Sequence, residues 1–149
     1  MKDKYVFLIS FILVLLDQVS KIFFTNKFIG EALISISYSQ NSGSAFSLFS
    51  GVSFYNIIIV LFSLVALYVL YKEHTFFSKN HIELIPLLMV SGIIGNLIDR
   101  VGFGYVRDFI ALDGFFVFNF ADSYLFLGVT LFLIYEMKKY FSEIRAKKN

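Results

Sequence analysis

The side chains able to do chemistry in this chain are carboxylates. There is no cysteine, so thiol nucleophiles, thiolate metal sites and disulfides are excluded at once. The two histidines, His74 and His81, both fall in the short polar stretch Lys72–His81, away from the other ionisable groups. A Ser-His-Asp triad or a His-ligated zinc therefore lacks its parts, and no glycine-rich phosphate loop is present. What remains is Asp17, Asp99, Asp108 and Asp122, with Asp113 set apart in a Leu-Asp-Gly turn. Two carboxylates held close together cannot both ionise, so they share a proton, one serving as base and the other as acid. Such a pair activates water against a peptide carbonyl without a metal or any other cofactor. Spacing alone does not say which two would form it. A carboxylate magnesium site from Asp99, Asp108 and Asp122 is the weaker alternative.

The elements that must hold these groups are apolar. The 149 residues are 58% hydrophobic and 16% charged, with a mean hydropathy of +0.75. Soluble domains are typically about 45–50% apolar and about 25% charged, which excludes a soluble globule. Four stretches approach bilayer length, at about 5–24, 52–71, 82–98 and 116–135, so the chain reads as one membrane domain. Outer segments 25–51 and 99–115 and a tail 136–149 complete it. No small-residue cleavage site follows the first stretch, which reads as a retained span. Nine of the thirteen basic residues (Lys2, Lys4, Lys72, Lys79, Lys138, Lys139, Arg145, Lys147 and Lys148) lie on one side, predicting that both termini are cytoplasmic. The basic tail suits contact with anionic membrane lipid. A net charge of +2 gives no reason to expect nucleic acid.

Counting at 1.5 Å per residue places Asp17 about 18 Å above the cytoplasmic end of its span, Asp122 about 20 Å, and Asn96 and Asp99 about 21–26 Å. Carboxylates from three spans thus converge in the outer third of a core about 30 Å thick, where ionisable groups mark function. Asp17 and Lys21 are spaced i, i+4 and can pair on one face. Gly92 and Gly95 permit close helix approach, and Asn96 shares a face with Asp99 and Arg100. Ile34–Ser39 alternates as a half-buried strand does, and leads into the small-residue run Asn41–Phe46. Val106–Ile110 reads as a short amphipathic segment lying on the outer membrane surface.

Five blocks, in one order along nearly the whole chain, carry a resemblance. They are Asp17-Gln18-Val19-Ser20-Lys21, Asn41-Ser42-Gly43-Ser44-Ala45-Phe46, Gly92-Ile93-Ile94-Gly95-Asn96-Leu97-Ile98-Asp99-Arg100, Val106-Arg107-Asp108-Phe109 and Phe118-Asn119-Phe120-Ala121-Asp122-Ser123. Together they resemble the lipoprotein signal peptidases (signal peptidase II), aspartic endopeptidases of the bacterial membrane. The third block matches Gly-x-x-Gly-Asn-x-x-Asp-Arg, the fourth Val-x-Asp-Phe and the fifth Phe-Asn-x-Ala-Asp-Ser. The resemblance implies four transmembrane helices with a small extracytoplasmic β-sheet, to which Ile34–Ser39 would belong, cradling the substrate. It implies that Asp108 and Asp122 are the catalytic pair. Asn41, Gly43, Asn96, Arg100 and Asn119 would support the site, Asp17 and Lys21 would hold the first span to the rest, and Asp99 would be structural. The implied substrate is a diacylglyceryl-modified prolipoprotein, cut just before its lipidated cysteine by a monomeric enzyme of the prokaryotic cytoplasmic membrane.

Gln40 and Ser44 depart from the family's usual Arg and Ala, and a spacing of fourteen between Asp108 and Asp122 is short for it. Asp108 is expected on a more mobile segment than Asp122, one that moves as substrate enters. The competing readings are a non-enzymatic four-span transporter or a lipopeptide binder using the same carboxylates. Against a transporter, the inner half of the bundle offers only Glu83, so a proton or ion relay has no continuation.

Overall fold

The computed structural model describes residues 3–30, 33–43 and 53–148. Its elements in chain order are α1 (Asp3–Phe24), β1 (Phe28–Ile29), β2 (Ile34–Asn41), α2 (Ser53–Lys72), α3 (His74–Lys79), α4 (Leu84–Phe103), β3 (Val106–Leu112), β4 (Phe116–Phe118) and α5 (Phe120–Lys148). Among the described residues three helical stretches, Lys4–Phe24, Leu84–Phe103 and Phe120–Lys147, are long and apolar enough to cross a membrane. The described apolar part of α2, Asn56–Lys72, is shorter. Large side chains such as Phe7, Phe11, Phe62, Tyr71 and Phe126 stand exposed on these helices, as expected where the surrounding solvent is hydrocarbon rather than water.

Helix α4 is the centre of the bundle, packed against α1, α2 and α5. Its spanning window is 44% buried against 11% for those of α1 and α5. Missing side chains make this possible. A Cβ at Gly92 would run into the Ala121 carbonyl and stand 2.9 Å from Leu125, and one at Gly95 would stand 2.7 Å from an Asp17 carboxylate oxygen. On α5, a Cβ at Gly128 would meet Met89 at 2.7 Å. Helix α4 stops at Gly104, whose φ of 81° closes the last turn through its N–H to the Arg100 carbonyl. That stop turns the chain into β3.

The four strands form one antiparallel sheet in the order β1-β2-β3-β4. Ile36 pairs with Ile110 and Ser39 with Asp108, so β2 fits one extra residue between these pairs and bulges beside Asp108. The β3–β4 hairpin turns through Asp113-Gly114-Phe115, with Gly114 at φ 73°.

Several expectations need correction. Val106–Ile110 is not an amphipathic segment on the membrane surface; it is an inner strand of the sheet. Val106, Arg107, Asp108 and Phe109 are all buried, because helices cover one face and the site lies against the other. A strand buried on both faces loses the alternation that would reveal it. Asp108 itself pairs with Ser39 of β2, while residues 110–112 of the same strand also pair with β4. Phe116–Phe118, at the head of the expected fourth span, form β4, and the expected tail continues α5 without a break to Lys148. The stretch with the histidines holds a short helix, α3, whose Phe77 is buried near Phe132 of α5. Residues 44–46 of the small-residue block lie outside the described residues, as does residue 52.

Candidate active site

Two polar networks meet under the sheet, and they differ in what faces the carboxylates. The first is ionic. Lys21 Nζ lies 2.8 Å from Asp17 Oδ2 and 3.6 Å from Asp99 Oδ2, and all three side chains are fully buried. On its other side Asp99 accepts from Arg107 Nη2 at 2.7 Å, Nε at 3.1 Å and the Arg107 backbone N–H at 2.9 Å. Gln18 ties the ends together, accepting from Arg107 Nη2 at 2.9 Å and donating to the Gly95 carbonyl at 2.9 Å. Two carboxylates and two cations make a neutral quartet linking α1, α4 and β3. The i, i+4 pairing read from Asp17 and Lys21 is present, but Lys21 does not reach outward to water. It also donates to Asn96 Oδ1 at 3.0 Å.

The second network holds Asp108 and Asp122, and every partner in it is a neutral amide. Asp108 accepts from Asn41 Nδ2 at 3.1 Å and from Asn119 Nδ2 at 2.6 Å. Asp122 accepts from Asn96 Nδ2 at 2.7 Å and from the Asn119 backbone N–H at 3.1 Å. Asn119 Oδ1 in turn accepts from the Asp122 N–H at 2.9 Å. Asn119 and Asp122 are thus the N-cap and third residue of α5, closing a reciprocal capping box. The N–H between them, that of Ala121, goes to Asp17 Oδ1 at 2.9 Å, which anchors the start of α5 to α1. Helix capping therefore fixes Asp122, and the same asparagine reaches across to Asp108. Burial, and after it the Asp122 carboxylate, pushes the Asp108 carboxyl up to about 7, against the pull of the Asn41 and Asn119 hydrogen bonds.

Arg100 acts at a distance from both carboxylates. Its Nη2 donates to the Gly43 carbonyl at 2.7 Å and its Nη1 to Asn56 Oδ1 at 3.4 Å, joining α4 to α2 and to the end of β2. Gly43 N–H donates to Asn41 Oδ1 at 3.1 Å, so Arg100 steadies the asparagine that reaches Asp108. The structure thus brings Asn41, Asn96, Asn119, Asp108 and Asp122 together, with Gly43 and Arg100 behind them and Asp17 and Lys21 alongside. Asp99 belongs to the ionic quartet, which separates it from Asp108 and Asp122 as a magnesium ligand. Among the described residues no three carboxylate or imidazole groups are placed to hold a metal. Sequence reasoning gave no role to Arg107, Gln18, Asn56 or Ala121. The capping box has a local signal that could have marked it, Asn-x-x-Asp ahead of an apolar run; the partners of Arg107 and Asn56 lie on other elements and left no local mark.

The family model Peptidase_A8, described as Signal peptidase (SPase) II, matches residues 9–138. The chain belongs to the signal peptidase II family. Among its relatives, the lipoprotein signal peptidase of Streptococcus pyogenes serotype M1 is 40% identical over 144 residues, spanning 90% of this chain and 93% of its own. That of serotype M5 (strain Manfredo) is 39% identical over the same shares. A solved bacterial membrane enzyme, determined by the in meso method at 1.9 Å, superposes with a TM-score of 0.72 at 30% identity, covering 91% of this chain and 94% of that one. A second, at 2.3 Å, superposes equally well at 29% identity. As a signal peptidase II, the chain is an integral membrane peptidase that removes the signal peptides of prolipoproteins. A non-enzymatic transporter or binder is not favoured.

Proposed function

We propose that this signal peptidase II is an aspartic endopeptidase in which Asp108 and Asp122 are the catalytic pair. The observation that carries the proposal is the amide-only setting of two neighbouring carboxylates, Asp108 buried and held up near neutrality and Asp122 half-buried. Such a pair carries one proton near pH 7. The ionised member takes a proton from water as its oxygen attacks the scissile carbonyl, and the protonated member hydrogen-bonds the carbonyl oxygen and gives up its proton to it. Collapse of the tetrahedral adduct breaks the C–N bond, returns one proton to the pair and delivers the other to the leaving amine. Asn119 holds both carboxylates, Asn96 orients Asp122, and Asn41, fixed by Gly43 and Arg100, orients Asp108.

The same reading places four spans in the bilayer, with α2 the fourth member, both termini cytoplasmic and the sheet outside. The site then lies near the outer leaflet of a prokaryotic cytoplasmic membrane, in a monomer of one domain. A diacylglyceryl-modified prolipoprotein enters with its acyl chains still in the lipid and is cut just before the modified cysteine. The test is incubation of purified protein with lipidated and unlipidated prolipoprotein, beside Asp108→Asn and Asp122→Asn. Cleavage of the lipidated form by the wild type alone is expected. Cleavage that survives either substitution would remove the pair from the chemistry.

A further inference from the structure

The family motif Val-x-Asp-Phe leaves its second position open, and here it holds a buried arginine. Arg107 is 7% exposed, and its guanidinium lies 4.6 Å from the centre of the Phe103 ring while forking onto Asp99. Successive strand residues face opposite ways, so Arg107 and Phe109 point away from the face on which Asp108 meets Asn41 and Asn119. Phe109 stacks on Phe24 at 4.9 Å and meets the Phe120 ring edge-on at 5.5 Å. The residues on either side of Asp108 are therefore the ones that bind its strand to the helices. Phe109 supplies a contact that allows sliding; Arg107 supplies directional bonds to α4 through Asp99 and to α1 through Gln18.

We propose that Arg107 is a positioning residue for the peptidase reaction, fixing the height of Asp108 against α5 and cancelling the charge of Asp99 beside the reacting pair. The proposal rests on the assignment of Asp108 and Asp122 as that pair. The charged and titratable groups around the pair and Arg107 are Asp17 and Lys21 of α1, Asp99 and Arg100 of α4, Arg107 of β3, Tyr38 of β2, which faces Arg107, and Tyr105, which hydrogen-bonds Tyr38. Without the guanidinium the quartet carries a net negative charge, with Lys21 serving both Asp17 and Asp99. That extra negative charge makes the proton shared by Asp108 harder to lose. The two effects separate by substitution. Arg107→Lys keeps the charge and loses the fork; Arg107→Gln keeps a hydrogen bond and loses the charge.

The experiment measures kcat, KM and the pH profile of prolipoprotein cleavage for both variants of the full chain, beside Asp108→Asn and Asp122→Asn. Arg107→Lys should lower kcat about tenfold, within the range that small misplacement costs, with KM within about twofold and the alkaline limb unmoved. Arg107→Gln should lower kcat and move the alkaline limb upward by on the order of one pH unit. Wild-type kcat in both variants overturns the proposal, as does a lowered kcat in Arg107→Gln with its alkaline limb unmoved, which is what general loosening would give. A rise in KM alone overturns it too, because it would make Arg107 a substrate contact. Should Arg107→Gln fail to fold, the kcat of Arg107→Lys decides. Cleavage by either aspartate variant is a different result, and refutes the assignment of the pair instead.

Discussion

Replacing Lys21 with Met tests whether charge compensation holds the bundle together. Methionine is apolar and close to lysine in length, so the substitution leaves little cavity and removes mainly the cation. Lys21 Nζ faces four acceptors: Asp17 at 2.8 Å, Asn96 Oδ1 at 3.0 Å, the Gly95 carbonyl at 3.4 Å and Asp99 at 3.6 Å. Asp99 would retain Arg107, but Asp17 would keep only the Ala121 N–H and the Gln18 amide, with no counter-charge. Removing one partner of a buried pair costs about 3–5 kcal/mol. At about 2–4 °C per kcal/mol for a chain of this size, melting should fall by roughly 6–20 °C. Adding Asp17→Asn removes the stranded charge, and the double variant should regain more than half of the loss, because replacing a whole buried pair is often near neutral. The assay is the soluble, monodisperse fraction in detergent after heating, followed by size exclusion. A Lys21→Met protein melting within about 2 °C of wild type would refute the reasoning. So would a double variant that recovers nothing, since the loss would then be packing rather than charge.

Three further outcomes follow from the same contacts. The Asp108 carboxyl sits near 7 in the folded chain and near about 4 when unfolded, so the folded state keeps a proton that the unfolded chain has lost. Its stabilising contribution is full below about pH 4 and disappears as pH rises through about 7; melting followed from pH 4 to 8 should decline less in Asp108→Asn than in wild type. Gly92→Ala should destabilise by about 1–3 kcal/mol despite a helix-propensity gain of about 1 kcal/mol, because its Cβ meets α5 backbone. Gly102→Ala, with nothing within 4 Å of its Cβ, should be neutral or stabilising in the same melts. Asn119→Ala should cost about 0.5–2 kcal/mol as a lost helix cap and lower cleavage at least about tenfold, since it also strips Asp108 of its 2.6 Å donor; an unchanged kcat would count against the amide bridge.

What could be read from the sequence was what is local or periodic. The i, i+4 spacing of Asp17 and Lys21 and the pair Gly92 and Gly95 express a regular element's own geometry and are present in the structure; Ile34–Ser39 is the strand its pattern announced, though its burial does not alternate and Ile34 is exposed. Strand β3 was misread because its burial comes from elements far away in sequence, which conceal the pattern of a two-faced strand. Arg107 was missed for the same reason. Its meaning lies in Asp99 and Gln18, eight and eighty-nine positions away, and no spacing rule links a strand residue to either.

Residue spacing alone could not say which two of four aspartates would form a pair, and the contacts supply a physical argument for the pair proposed above. Asp17, Asp99 and Asp108 are buried and Asp122 is partly so, and burial alone does not divide them into pairs. Partner type does. Asp17 and Asp99 are matched by Lys21 and Arg107, so their charges are balanced within the quartet. Asp108 and Asp122 meet amides alone, which satisfy their lone pairs without neutralising their charge. In the proposed pair, two such groups side by side relieve their repulsion by sharing a proton. The ionic quartet thus does two things. It holds α1, α4 and β3 in place, and it takes up Lys21 and Arg107, leaving Asp108 and Asp122 with amide hydrogen-bond partners.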